Sequence, residues 1–125
     1  MARVLVVDDE LDIREAVTEV LSFEGHEVIT ACEGAEALRK CQALQPDLVL
    51  LDLMMPGMNG WEFRLAQLRD PAIAGIPVVV LSALGRVSTI DALAFLPKPF
   101  GLDDLLELVR RAARAGRGDG HAATV

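Results

Sequence analysis

Leu48-Val49-Leu50-Leu51-Asp52-Leu53-Met54-Met55-Pro56-Gly57-Met58-Asn59-Gly60 is the stretch that decides the fold. An uninterrupted apolar run ends on a carboxylate and passes straight into a turn-forming segment. Apolar runs without alternation mark strands buried on both faces, the pattern of a parallel sheet held between helices. A carboxylate at the tip of such a strand, facing a loop, is placed for chemistry rather than for packing. The same arrangement recurs along the chain. Asp8 and Asp9 follow Val4-Leu5-Val6-Val7, Ser82 follows Val78-Val79-Val80-Leu81, and Lys98 follows Phe95-Leu96-Pro97.

Helical signals fill the intervals. Arg3 to Val7 reads as a first strand, after which Leu11, Ala16, Val17, Val20 and Leu21 fall near helical spacing. Asp8 or Asp9 is placed to cap that helix and Gly25 to close it. Glu27 to Ala31 reads as a second strand, and Ala35 to Leu44 as a second helix. Asn59 is placed to cap a third helix running to about Arg69, with Trp61, Leu65 and Leu68 on one face. Pro77 suits the first position of a fourth strand, where a missing N–H is tolerated. Ala94 to Leu96 makes a short fifth strand. Leu102 to about Ala115 makes the final helix, with Leu105, Leu106, Leu108 and Val109 as its apolar stripe and Arg110, Arg111 and Arg114 near its C-terminal end. Residues 1–115 form the domain, and residues 116–125 are expected to be a flexible tail.

This alternation is that of an open doubly wound α/β sheet, in which ligands bind beyond the carboxyl ends of the strands. Asp8, Asp9, Asp52, Ser82 and Lys98 all fall there, so the pattern places them in one site. The composition narrows the function. With 125 residues, 52% of them hydrophobic, the chain builds one domain with a real core. A net charge of −7 and few aromatics argue against direct nucleic-acid binding. No apolar run approaches the roughly 20 residues of a membrane span. No signal peptide is expected at the N-terminus. Cys32 and Cys41 read as reduced thiols, which fits a cytoplasmic protein.

Three clustered carboxylates repel one another, and a hard divalent cation with oxygen ligands relieves that repulsion. Mg²⁺ typically takes one or two carboxylates plus waters and phosphate oxygens. A lysine adds charge for an anion, and a serine adds a hydroxyl. Together these groups suit phosphoryl transfer, where positioning and charge neutralisation carry the catalysis. With no activated serine or cysteine, the natural nucleophile is a carboxylate that forms an acyl phosphate.

In these features the chain resembles the receiver domain of two-component response regulators. The resemblance rests on Val6-Val7-Asp8-Asp9-Glu10, Leu51-Asp52-Leu53-Met54-Met55-Pro56-Gly57-Met58-Asn59-Gly60, Leu81-Ser82-Ala83 and Leu96-Pro97-Lys98-Pro99-Phe100, in order, and covers residues 2–115. It implies a flavodoxin-like five-stranded parallel sheet of order 2-1-3-4-5 flanked by helices. It makes Asp52 the phosphoacceptor. It assigns Mg²⁺ to Asp9 and Asp52, with Asp8 acting through water and Met54 supplying a backbone carbonyl. Lys98 would pair with the phosphoryl group, with the Lys98–Pro99 bond cis. Ser82 and Phe95 would be the switch pair: Ser82 moves to the phosphoryl group, and Phe95 turns into the space it leaves. The implied partners are a sensor histidine kinase or phosphotransfer protein and a downstream protein target. The implied chemistry is limited to the domain's own phosphorylation and dephosphorylation.

The chain departs from the family in one stretch. Only fifteen residues separate Ser82 from Lys98, fewer than receiver domains usually carry. The fourth helix is therefore expected to be shortened or irregular, with Leu84, Val87 and Ile90 at a spacing that suits a 3₁₀-like turn. Met54 and Leu84 match positions bordering the phosphoryl group. Both are apolar, so a long-lived phospho-Asp52 is expected.

Two readings from other classes compete. One is a pseudo-receiver, an interaction module that does not use phosphorylation; the complete set of Asp8, Asp9, Asp52, Ser82 and Lys98 argues against it. The other is a metal-dependent phosphatase or nucleotide-binding domain, which the absence of a second spaced aspartate or a glycine-rich loop after the first strand disfavours. Taken singly, each site residue has an ordinary explanation: Asp8 and Asp9 as helix caps, Asp52 as a turn aspartate, Lys98 as a surface charge. All five at strand ends are poorly explained that way. His26 reads as a solvated turn residue. The chain is either a stand-alone receiver or a piece of a longer protein.

Overall fold

The computed structural model describes residues 1–84 and 87–122, with side chains described as far as Arg114. Five parallel strands, β1 (Arg3–Val7), β2 (Glu27–Ala31), β3 (Leu48–Asp52), β4 (Val78–Ser82) and β5 (Ala94–Pro97), pair in the order β2-β1-β3-β4-β5. Four helices flank them: α1 (Leu11–Phe23), α2 (Gly34–Leu44), α3 (Gly60–Leu68) and α4 (Leu102–Ala122). The register is unbroken. Val7 pairs with both Ala31 and Leu51, and Asp52 pairs with Leu81, so the strand tips reach one edge together.

Strand alternation deals the apolar runs to two cores. Leu5, Val7, Val49, Leu51, Val78 and Val80 face α2 and α3, packing with Ala37, Cys41 and Phe63. Val4, Val6, Leu48, Leu50, Val79 and Leu81 face α1 and α4, packing with Val17, Leu21, Leu105 and Val109. Each buried aliphatic side chain contributes about 1.5–3 kcal/mol relative to exposure. Neither face of the central strands is left to water, which is why no alternation appears in the sequence.

The helix ends show which local readings hold. Gly25, at φ +91°, closes α1 as the left-handed residue of a Schellman motif. Its N–H donates to the carbonyl of Ser22 at 3.0 Å, and that of His26 to Leu21 at 3.0 Å. The start of α1 differs from expectation. Glu10 is the N-cap and makes no side-chain cap bond, while Asp8 Oδ1 accepts the Glu10 N–H at 2.9 Å. Neither Asp8 nor Asp9 is the cap, because the chain leaves β1 with two residues to spare before it turns helical.

Helix α3 begins with a complete capping box between Asn59 and Glu62, as Asn59 foretold. Its buried face is a correction. Leu65 and Leu68 are exposed, and the helix turns Gly60, Phe63 and Gln67 inward. Gly60 sets that rotation. Its N–H donates to the Leu53 carbonyl at 3.0 Å, and a Cβ there would stand 2.6 Å from the Asp52 carbonyl oxygen. Gln67 is tolerated inside because its amide donates to the carbonyls of Ile73 and Ile76, both at 2.9 Å.

The crossover from β4 to β5 carries no helix among its described residues, only turns at 83–84 and 88–89. A parallel connection needs about a dozen residues merely to return, so residues 83–93 have no length to spare for one. Ile90 is buried and Val87 packs inward, while Leu84 is exposed; Gly85 and Arg86 lie outside the described residues. The connection is tied to α3 instead. Trp61 Nε1 donates to Thr89 Oγ1 at 2.9 Å, and Arg64 Nε donates to the Asp91 carbonyl at 2.9 Å.

Helix α4 runs on to Ala122, through glycines that suggested an end near Ala115. Each glycine weakens a helix by about 1 kcal/mol against alanine without forbidding it. Residues 123–125 of the expected tail lie outside the described residues. Among the described residues no helix is long and apolar enough to cross a membrane.

Candidate functional site

Asp8 leaves β1 with its backbone fixed on both sides. Its N–H donates to the Ala31 carbonyl at 3.1 Å, and its carbonyl accepts from Arg14 Nη1 at 2.7 Å. Its carboxylate is fully buried. Asp52 ends β3, also buried, with Oδ1 accepting the Met54 N–H at 3.3 Å. Ser82 ends β4, and its hydroxyl oxygen accepts the Leu84 N–H at 2.9 Å. Lys98 follows β5; its N–H donates to the Ser82 carbonyl at 2.9 Å, and its bond to Pro99 is cis.

The side chains of Asp8, Asp52 and Lys98 come from the ends of different strands and converge because the strand tips are in register, with Ser82 at the neighbouring tip of β4. The Lys98 ammonium stands 2.9 Å from Asp8 Oδ2, 3.1 Å from Glu10 Oε1 and 3.5 Å from Asp52 Oδ1. The Asp8 contact is close but not aligned as a hydrogen bond, so Asp8 Oδ2 is a buried oxygen with no directed donor. Asp9 is exposed beside it, and carboxylate oxygens of Asp8, Asp9 and Glu10 all lie within 4.8 Å of one another. Glu10 was not among the residues that strand-end reasoning selected. The available signal was its place directly after the Asp8-Asp9 pair.

The electrostatics follow from burial. Loss of water and the neighbouring charge of Asp8 push the Asp52 carboxyl up to about 6, against the opposing pull of Lys98 and the Met54 N–H. For Lys98, desolvation pulls downward, but the carboxylates of Asp8, Glu10 and Asp52 outweigh it and the ammonium titrates above its ordinary value. One ammonium thus faces three carboxylates, with that of Asp9 close to two of them. That excess of negative charge, together with the undirected Asp8 oxygen, fits a site for a divalent cation. The carboxylates of Asp8, Asp9 and Glu10 lie close enough together to hold such an ion.

Met54 and Leu84 flank the site with exposed side chains. Phe95 is half-buried and packs with Val87, Ile90 and Ala92 on the α2/α3 side of the sheet. Strand alternation puts Ser82 on that same side, since Val78 and Val80 face it. Two concavities lie on α1. The larger, about 780 Å³, is on its outer side and includes none of the strand-tip residues. The other, about 550 Å³, opens beside the site and is lined by Glu10, Ile13, Ala83, Lys98 and Phe100. His26 is half-buried rather than solvated, and its Nδ1 accepts the Ala2 N–H at 3.1 Å. Cys32 and Cys41 are both free thiols.

Known proteins share this fold. The family model described as response regulator receiver domain matches residues 4–110. Response regulator MprA of Mycobacterium leprae is 40% identical over 98% of this chain and 56% of its own length. That of Mycolicibacterium vanbaalenii is 42% identical over 90% of this chain and 50% of its own length. The chain therefore spans about half the length of the curated relatives it matches. Among solved structures, chemotaxis protein CheY4 of Vibrio cholerae superposes with a TM-score of 0.81 at 35% identity, covering 90% of this chain and 98% of that one. NtrX of Brucella abortus superposes with a TM-score of 0.87 at 33% identity, covering 98% of this chain and 29% of that one.

Proposed function

The chain belongs to the response regulator receiver domain family, and from that premise we propose that it is the phospho-accepting switch of a two-component phosphorelay. In this reading a sensor histidine kinase or a phosphotransfer protein supplies the phosphoryl group in the cytoplasm. Asp52 accepts it, and a downstream protein reads the result. The observation that carries the reading is the Lys98 ammonium held within 3.5 Å of both buried carboxylates, Asp8 and Asp52, at the tips of adjacent parallel strands.

An oxygen of ionised Asp52 attacks phosphorus. The O–P bond forms as the N–P bond of the partner's phosphohistidine breaks, and the departing imidazole nitrogen keeps the electron pair and takes a proton. Lys98 stands where it can follow the charge onto the transferred oxygens. Asp8, Asp9 and Asp52, with the Met54 carbonyl, would hold Mg²⁺, which supplies charge neutralisation for carboxylates and phosphoryl oxygens together. Ser82 has a hydroxyl proton to offer the phosphoryl group once its oxygen leaves the Leu84 N–H. Its departure opens room on the side where Phe95 packs. The result is a shift between two packings of β4, β5 and their connection, biased by one covalent charge. Turnover is confined to the domain's own carboxylate, so it is a switch rather than an enzyme acting on a separate substrate.

The chemistry of the adduct tests this. Incubation with Mg²⁺ and phosphoramidate, a small P–N donor, should give an adduct that hydroxylamine removes, as it does from acyl phosphates. A hydroxylamine-stable phosphate, located on Ser82, would contradict the assignment.

A further inference from the structure

We propose that Glu10 is a positioning residue for Lys98: it accepts a hydrogen bond from the ammonium at 3.1 Å in the unphosphorylated state and must yield it when the phosphoryl group arrives. The inference rests on the phosphorelay reading and concerns a residue outside the set assigned above. A lysine has three N–H donors. Three carboxylates stand around Lys98, and they differ in character. Asp8 is enclosed, with both backbone groups tied, at 2.9 Å. Asp52 is the acceptor itself, at 3.5 Å. Glu10 is the exposed one, on a long side chain, at 3.1 Å.

The ammonium therefore sits closer to Asp8 and Glu10 than to Asp52. A phosphoryl group on Asp52 adds oxygens that compete with Glu10 for the ammonium's donors. Asp8 is held by its surroundings and cannot follow, whereas the exposed Glu10 can swing into water at little cost. Its contact belongs to the starting state and is lost on the way to the product. An interaction of that kind slows the step, and removing it speeds the step. Glu10 thus sets how readily Lys98 is released.

Two measurements on the intact chain test this. The first is exchange of the Lys98 ammonium hydrogens with water, read by heteronuclear NMR without phosphodonor or Mg²⁺. Glu10→Gln should speed it about two- to fivefold, the size expected of one partly exposed ion pair. Glu10→Asp, which keeps the charge but withdraws the carboxylate by one methylene, should do the same. The second is the rate of phosphorylation by acetyl phosphate at saturating Mg²⁺, which should rise by a similar factor in both variants. Asp12→Asn is the control, since it removes an equal charge from the first turn of α1 without touching Lys98. Unchanged exchange in Glu10→Gln would overturn the proposal. So would an equal rate gain in Asp12→Asn, or a tenfold loss of Mg²⁺ affinity by calorimetry in Glu10→Gln, which would make Glu10 a metal ligand instead. If the wild type takes up no phosphate, the phosphorelay reading fails on its own, and the exchange measurement still decides whether Glu10 holds Lys98.

Discussion

Asp8 and Asp52 show how a single residue's surroundings fix its work. Both are buried at strand tips, and the charge of Asp8 raises the cost of charge on Asp52, with the Lys98 ammonium beside both. On the proposed phosphorelay reading, the apolar side chains outside that centre are expected to prolong the adduct. Met54 and Leu84 are 65% and 66% exposed beside it, and neither can orient an attacking water. The double substitution Met54→Asn, Leu84→Glu should shorten the half-life of phospho-Asp52 by about tenfold or more, within the range that a positioned polar group contributes. An unchanged decay of the adduct would remove the water-orienting argument. His26 carries a different prediction. Burial, and then the nearby chain-terminal ammonium, lower its pKa from 6.5, and its neutral ring accepts the Ala2 N–H. The folded state therefore binds fewer protons than the unfolded one below that value. The contribution is present above about pH 6.5 and is lost as pH falls through the lowered value. The drop in urea midpoint between pH 7.5 and 5.5 should be smaller in His26→Ala than in the wild type. An identical drop would show that His26 is not linked to folding.

At the scale of elements, the strands were legible and the helix faces less so. The runs at Val4–Val7, Leu48–Leu51 and Val78–Leu81 have one explanation, burial on both faces, and their tips name the site residues directly. In α3 the apolar residues at helical spacing do not mark the buried face: Leu65 and Leu68 are exposed. Its orientation is set by a backbone contact at Gly60, and a glycine gives no apolar signal. Gln67 was missed for the related reason that a polar side chain is invisible as core until its carbonyl partners are known. Gly60→Ala tests the point. Its Cβ would meet the Asp52 carbonyl oxygen at 2.6 Å and Leu53 Cα at 2.7 Å, neither of which is the end of a flexible side chain. A loss of about 1–3 kcal/mol in urea unfolding is expected, together with slower phosphorylation, because the disturbed backbone carries Asp52. Wild-type stability in this variant would mean that the loop gives way more easily than its packing implies. The β4–β5 connection makes its own prediction. Trp61 is the sole tryptophan of the chain, and its indole N–H is bound to Thr89. Thr89→Ala should shift its emission and lower stability by about 1 kcal/mol. An unchanged spectrum would mean that the connection is not tied to α3 through that bond.

Across the whole molecule, the two cores and the register bring Asp8, Asp52, Ser82 and Lys98 to one edge, and no single element would do so. The short connection after β4 changes what lies next to that edge. Where a helix was expected to be shortened, the described residues form turns strapped to α3. Glu10 and the His26 bond escaped sequence reading because both depend on which residues the fold brings together across long separations. Intact mass decides whether Asp52 takes a phosphoryl group in a site that uses Mg²⁺. Wild type and Asp52→Asn would each be incubated with acetyl phosphate and Mg²⁺, with and without EDTA. A single phosphate on the wild type alone, lost with EDTA, is the predicted result. No adduct on the wild type, or an equal adduct on Asp52→Asn, would contradict it.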